Sequence, residues 1–124
     1  MANLAENLPI YIRITEGVKE AILSGELKEE EQIPSTTYLS KKYNINVATV
    51  NKAVNVLVDE GLVYKKRGIG MFIKKGAVKA LINERKKVFK ERYIKATLVE
   101  AKRLNIPVEE LQQLVKETFE EMEQ

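Results

Sequence analysis

The sequence predicts a mainly α fold with one small β-hairpin (α+β), on three observations. Apolar residues recur at helical spacing over most of the chain. A single region, residues 62–75, is β-prone and holds a Gly-x-Gly. That region directly follows a short helical segment, a tight turn and a longer helix. This succession is a winged helix-turn-helix, placed here at residues 8–76, with a C-terminal helical segment at 77–124.

In the first helix, Ile10, Ile14, Val18, Ala21 and Ile22 form one apolar face. Pro9 suits its first turn, and Gly25 can take the left-handed conformation that ends it. Gly17 inside this helix costs about 1 kcal/mol relative to alanine and is expected only where packing is close. Glu26 to Gln32 is polar and acidic, a surface loop. Ser35 after Pro34 is an N-cap for a short helix over 36–43, with Leu39 and Tyr43 on its buried side. Asn44-Ile45-Asn46 makes the turn, Asn46 caps the next helix, and Val50, Ala53, Val54 and Leu57 trace its apolar stripe over 47–60 as far as Gly61.

Two short β-prone runs around Gly68-Ile69-Gly70 give the hairpin, the wing. From Ala77 to Arg103 there is neither proline nor glycine, so one long helix follows, with Asn83 as the place for a break. Asn105-Ile106-Pro107 interrupts it. Val108, Leu111, Leu114, Val115, Phe119 and Met122 then mark a last amphipathic helix with an acidic outer face.

Composition narrows the function. The 124 residues are 44% hydrophobic and 31% charged, enough for one small domain with an appendage and too few for two large domains. No apolar run approaches the roughly 20 residues that span a bilayer, and the opening MANLAENLPIY has no signal-peptide character, so a cytoplasmic protein with no membrane partner is expected. Cysteine and histidine are both absent. Disulfides and thiolate metal sites are thereby excluded, and the commonest general base and metal ligand is missing. No clustered motif supports carboxylate, serine or lysine chemistry. The expectation is a non-enzyme with no catalytic residue, no metal and no cofactor.

The net charge of +3 is unevenly spread. Residues 1–37 carry three Lys/Arg against seven Glu, 38–75 eight against two acidic residues, 76–103 nine against three, and 104–124 one against six. Positive charge in the middle of the chain points to a polyanionic partner.

The outward residues of the third helix, Asn46, Thr49, Asn51, Lys52 and Asn55, are short hydrogen-bonding groups with one cation, suited to base edges and phosphates. A merely solvated face would be filled with Glu and Lys. Asn51 and Asn55 instead cost a few tenths of a kcal/mol each as helix formers. Lys65, Lys66 and Arg67 lead into Gly68, Ile69 and Gly70, a cationic strand beside a tight turn that lets backbone approach another surface. Alone this is a soluble hairpin; directly after a helix-turn-helix it is a grip on phosphate or on a groove edge. Ser35, Thr36 and Thr37 at the start of the second helix are placed to meet phosphate through hydroxyls and N–H groups. Arg85-Lys86-Lys87 has two readings, a contact with DNA flanks or a solvated face. The apolar residues Val88, Phe89, Tyr93, Ala96, Val99, Leu111, Leu114, Val115 and Phe119 need a partner, and helix pairing between two copies supplies one.

With these residues in place, the sequence resembles the GntR family of bacterial transcription regulators over essentially its whole length, and its tail is similar to the YtrA-type branch. The resemblance rests on Pro9-Ile10-Tyr11, Ala21-Ile22-Leu23-Ser24-Gly25-Glu26-Leu27, Ile33-Pro34-Ser35 and Leu39-Ser40. It continues through Ala48-Thr49-Val50-Asn51-Lys52-Ala53, Glu60-Gly61-Leu62-Val63 and Gly68-Ile69-Gly70-Met71-Phe72-Ile73, and through the tail from Glu100 to Leu111. Thr37, Val47 and Asn51 stand where arginines are common in the family, and Lys28-Glu29-Glu30-Glu31 replaces a usual Pro-Gly. Fewer arginines mean fewer bidentate guanine contacts, each worth about 1–3 kcal/mol of discrimination, so the operator sequence is not carried over from relatives.

The resemblance implies a homodimeric repressor on a double-stranded DNA operator with inverted-repeat symmetry, commonly beside a transporter operon. Two other readings stay open at this level. One is a winged-helix adaptor that binds protein. The other is a regulator with an effector at the dimer seam, although no phosphate loop, metal cluster or nucleotide fingerprint names an effector.

Overall fold

The computed structural model describes residues 7–124, in two compact units divided between Asn83 and Glu84. In the first, α1 (Ile10–Ser24), β1 (Gln32–Ile33), α2 (Thr36–Tyr43), α3 (Val47–Asp59), β2 (Val63–Lys66) and β3 (Gly70–Ile73) are followed by the start of α4 (Ala77–Phe89). Helix α3 packs on α1 and α2. The core is Ile22 of α1, Val50, Val54 and Leu57 of α3, Leu62 beyond it, Ile33, Val63, Met71 and Ile73 of the sheet, and Ala77 and Leu81 of α4. Helical spacing puts the α3 members on one stripe, which is why a 13-residue helix buries four side chains and leaves its opposite arc free.

The helix-turn-helix turn follows from Asn44. It takes the left-handed conformation (φ 53°), and the N–H groups of Asn44 and Ile45 close back onto the carbonyls of Lys41 and Ser40. The Ser35 hydroxyl caps α2 by accepting from the Tyr38 N–H at 3.1 Å, and Asn46 Oδ1 caps α3 by accepting from Ala48 N–H at 2.8 Å. Lys19, nearly buried on α1, pairs with Glu60 at the end of α3 at 3.0 Å, and so ties the two packed helices by charge as well as by apolar contact.

The hairpin is part of a three-stranded antiparallel sheet in the order β1-β3-β2. Gln32 and Ile33, expected in a surface loop or just after it, pair with Phe72 and Met71. A two-residue strand has no periodicity to read, and Ile33 joins the sheet because its side chain completes the core. Tyr43, expected on the buried side of α2, is exposed; Leu39 alone turns inward there. Gly17 does not pack closely: a Cβ built on it meets no atom within 4 Å.

Glu29 fastens the loop before β1 to the start of α4. Its carboxylate accepts from the N–H groups of Gly76 at 2.9 Å and Val78 at 3.1 Å, satisfying first-turn donors that the helix leaves unpaired. These two hydrogen bonds hold the Glu29 carboxyl below its usual range.

In the second unit α4 continues past Asn83 without the expected break. A single π-turn at Lys90–Ile94 joins it to α5 (Lys95–Arg103). Asn105 (φ 57°) ends α5, with the Ile106 and Asn105 N–H groups on the carbonyls of Ala101 and Lys102, and α6 (Val108–Met122) follows Pro107. Only Ala101 is buried in this unit.

Two outcomes follow for stability. Gly17→Ala removes the glycine penalty with no clash, so the urea unfolding midpoint should rise by an amount equal to about 0.5–1 kcal/mol; a fall would show that the helix needs glycine there. Glu29→Gln should lower the melting temperature at pH 7. Because the folded carboxyl is depressed, its stabilisation is present above the unfolded-state value of about 4.3 and is lost as pH falls through the folded one. The gap between wild type and variant should therefore close towards pH 3, and a gap independent of pH would contradict the charge–helix contact.

Candidate nucleic-acid interface

Residues on an α-helix advance by about 100° each, so Ala48, Asn51, Lys52 and Asn55 share one arc of α3, opposite the buried stripe. All four are exposed. The arc offers two amides, an ammonium and a methyl group. Asparagine amides match the donor and acceptor of an adenine edge, a methyl matches that of thymine, and the ammonium suits phosphate or guanine. Residue type alone does not single out Ala48, because an alanine has no polar group to announce it. Its place at the centre of the arc becomes visible only once the helix phase is set by the core.

The other expected residues divide by what their side chains already do. Ser35 and Asn46 each use a side-chain oxygen to cap α2 and α3, which fixes the helix starts at the site and leaves the Ser35 hydroxyl and the Asn46 amide NH2 as donors. Thr36 and Thr49 are half-buried at the rim, and Thr37 is exposed. Lys52 lies 4.2 Å from the centroid of the Tyr11 ring, a cation–π contact that holds the ammonium beside α1.

The wing meets this surface at Lys65 and Asn55. Lys65 Nζ donates to Asn55 Oδ1 at 3.1 Å. Lys66 lies on the other face of the sheet, 5.2 Å from the Phe72 ring centroid, where Tyr64 stacks on Phe72 at 5.6 Å. Arg67, Gly68 and Ile69 form the exposed tip, and Ile69 is 63% exposed. Gln32, missed by the sequence reading, braces that tip: its Nε2 donates to the Ile69 carbonyl at 3.0 Å. Gly70 makes the brace possible, since it sits at φ 147° and its missing Cβ leaves the space that the Gln32 amide fills. Tyr64 donates to the Glu30 carboxylate at 2.6 Å, which raises the Tyr64 phenol above its usual range and steadies the same hairpin.

The surface is cationic: Lys52 and Lys65 border the polar helix arc, Arg67 is at the wing tip, and Lys66 lies on the other face of the wing. Among the described residues no group of His, Cys, Asp or Glu could hold a metal ion, and no helix is long and apolar enough to cross a membrane.

The residues expected to pair two copies are all in the second unit. Val88, Phe89, Tyr93, Val99, Leu114, Val115 and Phe119 are exposed large apolar side chains; Ala96 is exposed too, and Leu111 is half-buried. Phe89 and Tyr93 touch each other, with ring centroids 5.9 Å apart. On α6, Phe119 is 65% and Met122 79% exposed.

A family model described as "Bacterial regulatory proteins, gntR family" matches residues 10–73. The chain is similar to the HTH-type transcriptional repressor YtrA of Bacillus subtilis, with 31% identity over 109 residues that cover 88% of this chain and 83% of the relative. It is 37% identical over 73 residues to the repressor NagR of the same organism, covering 59% of this chain but only 30% of that longer protein. Among solved structures, the DNA-binding domain of AraR in complex with operator ORX1 superposes with a TM-score of 0.52 at 30% identity, covering 53% of this chain and 80% of that one.

Replacing Gly70 with alanine forces a side chain into a left-handed backbone and displaces Gln32. The variant should lose about 1 kcal/mol of stability and free the wing tip, seen as faster amide exchange at Ile69. Unchanged exchange there would show that Gln32 does not brace the wing.

Proposed function

Because the chain belongs to the GntR family of bacterial regulatory proteins, we propose that it is a sequence-specific DNA-binding transcriptional repressor that works as a homodimer on an inverted-repeat operator. Helix α3 enters a major groove with Ala48, Asn51, Lys52 and Asn55 towards the bases. Thr36 and Thr37 at the start of α2 meet phosphate, and the wing's Lys66 and Arg67 grip the backbone beside it. The observation that carries this reading is the Lys65–Asn55 hydrogen bond, which makes the polar arc of α3 and the cationic wing one continuous surface. The likeness to AraR, a protein solved with its operator, supports the same use of the fold.

Pairing is supported by the second unit, which buries one residue and exposes an apolar stripe on each of its long helices. So small an apolar inventory does not hold a unit together by itself. The occupant that fits is a second copy. Residues 76–103 carry a net +6 and residues 104–124 a net −5, so the tail of one copy is complementary in charge to the helix of another. Two reading modules then face half-sites about one helical turn apart when they sit close together.

Fluorescence anisotropy on a promoter fragment from the protein's own genomic neighbourhood, titrated with salt and unrelated competitor DNA, tests the reading. Tight, competitor-resistant, salt-steep binding is expected. Lys66→Ala with Arg67→Ala should weaken specific and nonspecific DNA by similar factors and flatten the salt slope by about 1 for each phosphate no longer neutralised. A salt slope left at the wild-type value would remove the wing from the grip.

A further inference from the structure

Lys65 and Lys66 are adjacent in sequence but go to opposite faces, because side chains alternate along a strand. Register decides which goes where. Val63 opposes Ile73 and Lys65 opposes Met71 on the face that carries the core, whereas Tyr64 opposes Phe72 on the other. Lys65 therefore leaves the sheet on the side where α3 packs, just past the buried Val63, and its ammonium reaches Asn55. Lys66 is directed to the aromatic face and cannot do this.

That contact fixes the asparagine's chemistry. A free asparagine amide offers one acceptor and one donor side by side, the pair that matches adenine N6 and N7. An ammonium has donors only. The atom facing Lys65 must be the oxygen, so the amide nitrogen with its two N–H groups is turned to the remaining exposed side. One lone pair of Oδ1 is taken and the other lies beside the ammonium, so the unit that approaches DNA presents chiefly donors, an ammonium and an amide NH2, and is positively charged. Guanine presents N7 and O6, two acceptors, in the major groove; adenine presents an amino donor beside N7, which would meet donors and charge.

We propose that Lys65 is a positioning residue for base reading: by holding Asn55 Oδ1 it makes the pair a cationic, donor-dominated reader that selects guanine over adenine at one position of each half-site. This rests on the DNA-reading function proposed above. It also gives the chain a guanine contact of a kind that does not need the arginines missing from α3.

Selection from a pool of randomised duplex DNA, run with the full chain, tests it. Wild type should enrich a motif with guanine at one position of each half-site. Lys65→Met should move that position towards adenine, a change of about tenfold in relative affinity, with the other positions unchanged. Lys65→Arg, which keeps the charge and the donors, should keep guanine. Asn55→Ala should lose the preference there, and Lys65→Met added to it should cause no further change in preference. Both side chains are exposed, and circular dichroism checks that each variant is folded. If Lys65→Met binds every sequence more weakly but retains guanine, Lys65 is a phosphate contact and this proposal is overturned while the DNA function stands. If wild type enriches no motif, the DNA function itself falls and the proposal with it.

Discussion

The buried stripe of α3 is the constraint on which the rest depends. Val50, Ala53, Val54 and Leu57 are held in the core by α1 and the sheet, and burying such side chains contributes about 1.5–3 kcal/mol for each large one. A helix has one rotational phase, so settling which residues point inward also settles that Ala48, Asn51, Lys52 and Asn55 point outward. Packing and the candidate reading surface are thus two sides of a single choice. The caps at Ser35 and Asn46 and the left-handed turn at Asn44 set where α2 and α3 begin and end; the Lys19–Glu60 pair secures the far end of α3.

The sheet repeats this logic with a period of two. Val63, Met71 and Ile73 face the core, which forces Lys65 towards α3 and Lys66 away from it. The brace from Gln32 to the wing tip depends on β1 lying next to β3, and β1 is there because Ile33 fills the core. Parity and core packing together therefore decide what each cation of the Lys65-Lys66-Arg67 run can do, although composition makes them equivalent.

Much of this is legible in the sequence for a plain physical reason: strong periodicity and strong local signals. The stripe Val50, Ala53, Val54, Leu57, the Ser35 and Asn46 caps and the wing glycines each carry their own mark. What is not legible depends on partners distant in sequence. Gln32 shows no pattern until it is paired with Ile69, 37 residues away, and the Lys65–Asn55 contact needs the register of the hairpin against α3. Tyr43 misleads because aromatic side chains at helical spacing ordinarily face inward, yet on so short a helix Leu39 alone reaches the core. Gly17 suggests close packing and has none. Ala48 escapes notice because its part in the surface comes from position and not from chemistry.

In the proposed dimer, two copies present two α3 helices to one face of a duplex. Hydroxyl-radical and methylation-protection footprinting of a promoter fragment from the protein's own genomic neighbourhood measures this directly. Two symmetric protected half-sites about one helical turn apart are expected, with major-groove guanines shielded in each. A single unpaired half-site at saturating protein, or protection of backbone alone with no base position shielded, would contradict it.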